Sequence, residues 1–171
     1  MSETTIRDAT LADLPQIVEI MNYYIENTII SLRMELLTVD KYQEIFTFVC
    51  SQKLPFFISE TDGRVTGFAY ASGFPDSEIT IYVHHEYHNG GVGSHLMNNL
   101  IGEIKKPRNP DAPDIKQLLS IMSLNGEGPG KGYGLRDWYG RWGFVQVGHL
   151  KNVGNKDGKR VDVLITQASL E

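Results

Sequence analysis

The sequence predicts one mixed α/β domain, and three observations carry that prediction. Its 171 residues are the length of a single ordinary domain, here read as spanning 1–171. Apolar residues make up 41% and charged residues 22%, a balance that supplies a core and argues against disorder. Helical and strand periodicities alternate along the chain in the order β-α-α-β-β-β-α-β-α-β-β, with no internal repeat.

Thr4 to Arg7 opens the chain as a short strand. Thr10 with Asp13 three residues on resembles a capping box that uses Asp in place of Glu. Leu14, Ile17, Val18, Met21 and Ile25 then recur at helical spacing, which predicts a helix from Leu11 to Glu26. Asn27 to Leu37 lacks periodicity and reads as a loop or short helix. Thr38 and Asp40 open a second amphipathic helix carrying Tyr42, Ile45, Phe46 and Val49, and Cys50 is expected on its apolar face as a buried small hydrophobe.

Leu54 to Ser59 and Arg64 to Ala71 are β-rich runs joined by Thr61-Asp62-Gly63, a strong hairpin signal. After a turn from Gly73 to Ser77, Glu78 to Val83 alternates, with Ile79, Ile81 and Val83 on a core face and Glu78, Thr80 and Tyr82 on a wetter one. A glycine cluster follows, then a helix from Val92 to Lys105 that the prolines at 107, 110 and 113 break. Lys116 to Leu124 fits a buried strand, and Gly126 to Gly134 a flexible glycine-rich loop. A helix holding Leu135, Trp138, Tyr139 and Trp142 comes next, and two strands, Phe144 to Leu150 and Arg160 to Gln167, close the chain around a Gly154–Gly158 turn.

Composition excludes several function classes. Sixteen Lys+Arg against twenty-one Asp+Glu leave a net charge of −5, which argues against a nucleic-acid partner. No apolar run approaches the roughly 20 residues that span a bilayer, and Met1 to Thr10 has neither the basic start nor the apolar stretch of a signal peptide. A soluble, cytoplasmic protein without a membrane partner is expected. The single cysteine, Cys50, cannot form an internal disulfide. His84, His85 and His88 come with neither Cys nor a His-Glu-x-x-His pattern, so no metal is expected.

The strongest chemical signal is the strand Glu78–Val83 running into His88-Asn-Gly-Gly-Val-Gly-Ser94 and a helix. Glycines at 90, 91 and 93 let backbone N–H groups approach a ligand, and a helix starting there adds its positive end, which suits a phosphate or pyrophosphate. A glycine-rich turn that merely starts a helix would look the same. It is not a Walker loop, since Gly-Lys-Ser/Thr is missing. Nor is it the dinucleotide fingerprint, since Leu96 stands where the third glycine would be.

His88-x-x-Gly91-x-Gly93 resembles the Gln/Arg-x-x-Gly-x-Gly/Ala motif of the GNAT acyl-CoA N-acetyltransferase superfamily, with His88 in place of Gln or Arg. Trp138-Tyr139-Gly-Arg-Trp-Gly143-Phe144 is similar to the Phe-Tyr-x-x-x-Gly-Phe segment of that superfamily. Ile6-Arg7-x-Ala9-Thr10-x-x-Asp13, Asn22-x-Tyr24-Ile25-Glu26, Arg33-x-Glu35, Gly148-x-Leu150 and Gly154-x-Lys156-x-Gly158-x-x-x-Asp162-Val163-x-x-x-Gln167 resemble its phosphinothricin / methionine sulfone acetyltransferase branch. The segment before Glu78, rich in Arg and aromatics in the branch, shrinks here to Ser72–Ser77, so the residues expected there to hold an amino-acid carboxylate are missing. The branch's Trp in the last turn is replaced around Arg160.

The resemblance implies the GNAT fold: a mostly antiparallel central sheet of about seven strands, helices on both faces, and a splayed strand pair that admits acyl-CoA. It implies direct transfer of acetyl from acetyl-CoA, with no metal, to the amine of a small amino-acid-like substrate. Members of the branch are often dimers, and a homodimer carries over as an expectation. An aliphatic ammonium must first lose a proton, which costs roughly 3–4 kcal/mol at neutral pH. Glu78, on the wet face by alternation and in the matching family position, is nominated as the general base, the alternative being a solvated Glu at a strand start. Tyr139 matches the family's proton donor to the thiolate, or is a core tyrosine between Trp138 and Trp142.

By the same resemblance, Tyr82, Val83 and His84 would pair with the pantetheine arm, and the N–H of Val83 or His84 would polarise the carbonyl. His88, Asn89, Gly90, Gly91, Val92, Gly93 and Ser94 would hold the pyrophosphate. Asn125 resembles a CoA contact and reads equally as a turn former. Arg33 could meet an acidic part of the substrate or pair on the surface, and Lys156 fits the branch pattern of a substrate site, which a hairpin turn alone would also explain. The competing functions are a CoA-binding sensor that lost catalysis and an acetyltransferase for polyamines or protein N-termini.

Overall fold

The computed structural model describes residues 3–72, 78–106, 113–124, 126 and 129–171. The described residues form a mixed α/β structure of seven strands and four α-helices, gathered into two compact units. Among the described residues no helix is long and apolar enough to cross a membrane.

The first unit takes in Met1–Asn22 and Leu37–Ile115. Its strands β1 (Thr4–Asp8), β2 (Phe56–Thr61), β3 (Arg64–Ser72) and β4 (Glu78–Val83) pair antiparallel in chain order. The β2–β3 hairpin turns at Asp62 and Gly63, with φ of 52° and 77°, the two positive values that a type I′ turn demands. A short 3-10 turn, Leu11–Asp13, leads into α1 (Leu14–Asn27). The capping box forms as the spacing predicts: the Asp13 carboxylate accepts from the Thr10 N–H at 2.7 Å and the Thr10 hydroxyl at 2.9 Å. Arg7 donates to both Asp13 oxygens at 2.9 and 2.8 Å and reaches Glu60 on β2 at 2.6 Å. Those Arg7 hydrogen bonds hold the Asp13 carboxyl below the usual carboxylate range.

Helix α2 (Val39–Ser51) starts at Thr38, whose hydroxyl accepts from the Lys41 N–H at 3.2 Å. Its stripe of Tyr42, Phe46 and Val49 is buried, with the Phe46 ring 5.3 Å from Phe56 and Tyr42 6.1 Å edge-on to Phe68. Across the strands Phe56 stacks on Tyr70 at 4.6 Å and Phe68 on Tyr82 at 5.7 Å. Cys50, expected in this stripe, is exposed. One residue past Val49 is a 100° rotation about the axis, which carries Cys50 off the apolar face.

Helix α3 (Val92–Ile104) presses Leu96, Met97 and Leu100, all at 0% exposure, into the core. Gly67 on β3 makes that approach possible. A Cβ there would lie 2.9 Å from the Tyr82 carbonyl oxygen, 3.0 Å from Leu96 Cδ1 and 3.1 Å from Val92 Cγ1.

The second unit takes in Tyr23–Leu36 and Lys116–Glu171. Strands β5 (Gln117–Leu124) and β6 (Val145–Lys156) both pair antiparallel with β7 (Lys159–Ser169), which lies between them. Helix α4 (Gly134–Gly140) is short and ends before Trp142. The final hairpin is tighter than its glycines suggest. Only Asp157 and Gly158, at φ 50° and 77°, make the turn, while Gly154, Asn155 and Lys156 continue β6. Gly154 is a close-approach residue: a Cβ there would lie 3.1 Å from both Leu32 methyls and from Val161 Cβ.

Gly67→Ala is expected to destabilise the protein by about 1–3 kcal/mol through overpacking against α3. Urea unfolding checks this, and an unchanged midpoint would contradict the tight seat of the helix.

Candidate active site

The chemistry-bearing part of the first unit is built at the two ends of β4. At its C-terminal end the His84 N–H donates to the Thr66 carbonyl at 2.8 Å, and a 3-10 turn, His85–Tyr87, follows. The His88 ring sits 3.3 Å from the Val83 carbonyl, which as an acceptor requires the proton on Nε2. The backbone then takes left-handed values at Asn89 (φ 64°) and Gly91 (φ 83°), which swing the chain into α3.

Gly91 is the N-cap of α3 and offers no side chain to its first N–H groups, and no acidic residue occupies the first turn. Those donors and the positive end of a 13-residue helix therefore go uncompensated by the protein itself, while Gly90 and Gly91 are exposed. Chemically, this is a place for an anion such as a pyrophosphate. Asn89, Gly90, Gly91, Val92, Gly93 and Ser94 all lie on this one turn of chain.

The two neighbouring histidine rings, His84 and His85, stack at 4.5 Å. His84 is buried, and burial first, then Arg64, pushes it below the usual histidine range. It is thus neutral near pH 7, with Nε2 2.9 Å from Arg64 Nη2. Arg64 also reaches Glu86 at 3.1 Å. Sequence reasoning missed both Thr66 and Arg64 as supports of this turn. Nothing in a strand's alternation marks which residue will meet a turn some twenty positions on. The Thr66 contact shows that the His84 N–H, one of the two expected to polarise a carbonyl, is already donated within the protein.

At the other end of β4, Glu78 pairs with Ser72 and is half-buried. Burial raises its carboxyl above the usual range. Val83 lies five steps further along the strand, roughly 17 Å away. Tyr82 faces the same way as Glu78 and stacks on Phe68.

In the second unit Tyr139 is 4% exposed, edge-on to Trp138 at 5.1 Å and to Phe144 at 5.2 Å. Lys156 is 2% exposed and donates to the Ile25 and Arg33 carbonyls, so it is not explained by a turn. Arg33 is exposed on the segment between α1 and α2. Asn125 and all but Ser72 of the shortened segment before Glu78 lie outside the described residues.

Comparison with known proteins bears on this arrangement. The family model "Acetyltransferase (GNAT) domain" matches residues 52–146, more than half of the chain. The phosphinothricin N-acetyltransferase of Streptomyces viridochromogenes is 26% identical over 97% of this chain and 87% of its own. The L-methionine sulfoximine/L-methionine sulfone acetyltransferase of Salmonella typhimurium is 28% identical over 98% of this chain and 95% of its own. A solved phosphinothricin acetyltransferase of the GNAT superfamily from Sinorhizobium meliloti, in complex with AcCoA, shares the fold with a TM-score of 0.83. It is 24% identical and covers 97% of this chain and 88% of its own. The matched stretch, 52–146, contains both ends of β4 and the glycine turn into α3, and with it the chain belongs to the GNAT family of acetyltransferases.

Proposed function

We propose that this protein transfers the acetyl group of acetyl-CoA to the amine of a small amino-acid-like compound, with Glu78 as the general base. The observation that carries the reading is the pairing on one strand of an uncapped helix N-terminus at one end with a half-buried carboxyl, raised by burial, at the other. The α3 N-terminus and its left-handed glycine turn fit a pyrophosphate, and an arm laid along β4 would lead from there toward Glu78. Tyr82, Val83 and His84 line the end of the strand that such an arm would follow, and His88 ties the turn to Val83.

Acetyl-CoA supplies a thioester, whose carbon–sulfur bond breaks as the amine's carbon–nitrogen bond forms. Glu78 takes one proton from the ammonium to create the nucleophile and releases it to solvent. A carboxyl raised by burial is better matched to that task near neutrality than an ordinary one. The Tyr139 hydroxyl gives its proton to the departing sulfur and recovers one from the acylated nitrogen, so the protons balance. Arg33 is the exposed cation that we place against the carboxylate of the acceptor. The acceptor class rests on the relatives, which are named for phosphinothricin and for methionine sulfoximine and sulfone.

Thiol release from acetyl-CoA, read against phosphinothricin, methionine sulfone, ordinary amino acids, polyamines and short peptides, tests the reading. Turnover on the amino-acid-like compounds is expected, falling about a hundredfold in Glu78→Gln with acetyl-CoA still bound. Turnover on polyamines or peptides alone would replace the acceptor, and binding without any turnover would make the protein a sensor.

The raised carboxyl has a second consequence. A carboxyl whose folded pKa exceeds its unfolded one binds its proton more tightly when folded, so ionised Glu78 opposes folding. That opposition is absent below about pH 4, where both states are protonated, and complete above the folded pKa. Glu78→Gln is therefore expected to raise the urea midpoint at pH 7, with the gain vanishing toward pH 4. Equal midpoints at pH 7 would contradict the buried placement.

A further inference from the structure

The segment between α1 and α2 has no regular secondary structure over most of its length, yet its backbone is pinned from several sides. Ser123 on β5 directs its hydroxyl at the Ile29 carbonyl at 2.7 Å, with the Ile30 carbonyl at 3.1 Å. Leu32 fills the space that Gly154 leaves by lacking a side chain. The buried Ser31 hydroxyl accepts from the Arg33 N–H at 3.4 Å. Lys156, 2% exposed, sends its ammonium to the carbonyls of Ile25 and Arg33, both at 2.5 Å.

The first of those carbonyls belongs to the last turn of α1, where helix geometry leaves C=O groups without partners and the dipole favours a cation. That turn holds no basic residue of its own. Asn27 and Thr28 satisfy the Tyr23 and Tyr24 carbonyls at 2.9 and 2.8 Å, and Lys156 supplies the missing charge from a strand 131 residues away. Its second bond falls on a residue whose side chain is exposed and makes no ion pair among the described residues. A buried ammonium thus fixes the backbone of an unpaired surface cation, which surface packing alone does not call for.

We propose that Lys156 is a positioning residue: its ammonium clamps the Arg33 backbone to the end of α1 and so aims the Arg33 guanidinium at the carboxylate of the acceptor. This rests on the reading of Arg33 given above. Buried and bonded to two backbone carbonyls, Lys156 is placed to act through the loop rather than on the substrate itself. Its effect is exerted through a backbone carbonyl, and an unclamped loop would present the guanidinium in many orientations at an entropic cost to binding.

Steady-state kinetics at saturating acetyl-CoA, with methionine sulfone as the varied acceptor, test this in Arg33→Ala, Lys156→Met and the double variant. Arg33→Ala is expected to raise KM for methionine sulfone about tenfold. Lys156→Met should do the same, leave KM for acetyl-CoA unchanged, and add little in the double variant, because both changes remove one interaction. A raised KM in Arg33→Ala with an unchanged one in Lys156→Met, or full additivity, overturns the proposal while leaving the Arg33 reading intact. An unchanged KM in Arg33→Ala, or no turnover of methionine sulfone by the unaltered protein, removes that reading and the proposal with it. Should Lys156→Met fail to fold, Lys156→Gln, which keeps a shorter donor, is expected to give an intermediate KM, and an unaltered value would overturn the proposal.

Discussion

The arrangement of the first unit depends on how closely α3 lies against β3 and β4. Gly67 sets that distance, because any Cβ there would meet the Tyr82 carbonyl and the Leu96 and Val92 side chains at 3.1 Å or less. With the helix held so close, the chain leaving β4 has few residues in which to reverse and enter it. It does so through left-handed backbone at Asn89 and Gly91, and the helix begins without a side-chain cap. The unsatisfied N–H groups that result are a cost to the isolated protein and an attraction for an anion. The close approach at Gly67, the left-handed turn and the bare helix end thus lie together in one part of this unit.

Supports around that turn make it a fixed cradle rather than a loose loop. The His84 N–H is tied to Thr66, the His88 ring to Val83, and a neutral buried His84 ring faces Arg64. In the second unit the same principle acts on a less regular segment. Residues 28–36, which carry Arg33, are held by Ser123, by the gap over Gly154 and by Lys156. Held backbone that carries an exposed cation is what preorganised binding of an anion asks for.

Much of this was legible in the sequence. The helical stripes, the Asp62-Gly63 hairpin, the Thr10–Asp13 capping box and the glycine turn before α3 are local patterns, and local patterns of that kind survive folding. Contacts between distant residues were not legible. Gly154 and Lys156 were grouped into a turn because glycines near a chain reversal look like turn residues, whereas the reversal needs only Asp157 and Gly158. What Gly154 accommodates is Leu32, over a hundred residues earlier, and what Lys156 meets is the end of α1. Cys50 was misplaced for a smaller reason, one step of helical rotation beyond Val49. Strand alternation and the family resemblance single out Glu78, and only burial reveals that its carboxyl is raised.

The central claim is that the bare N-terminus of α3 receives the phosphates of acetyl-CoA. Amide hydrogen exchange, followed by mass spectrometry with and without saturating acetyl-CoA, addresses it directly. The account predicts strong slowing in peptides that cover Asn89 to Ser94, because their N–H groups would gain acceptors they lack in the free protein. Bound acetyl-CoA that leaves exchange in that segment unaltered would contradict it.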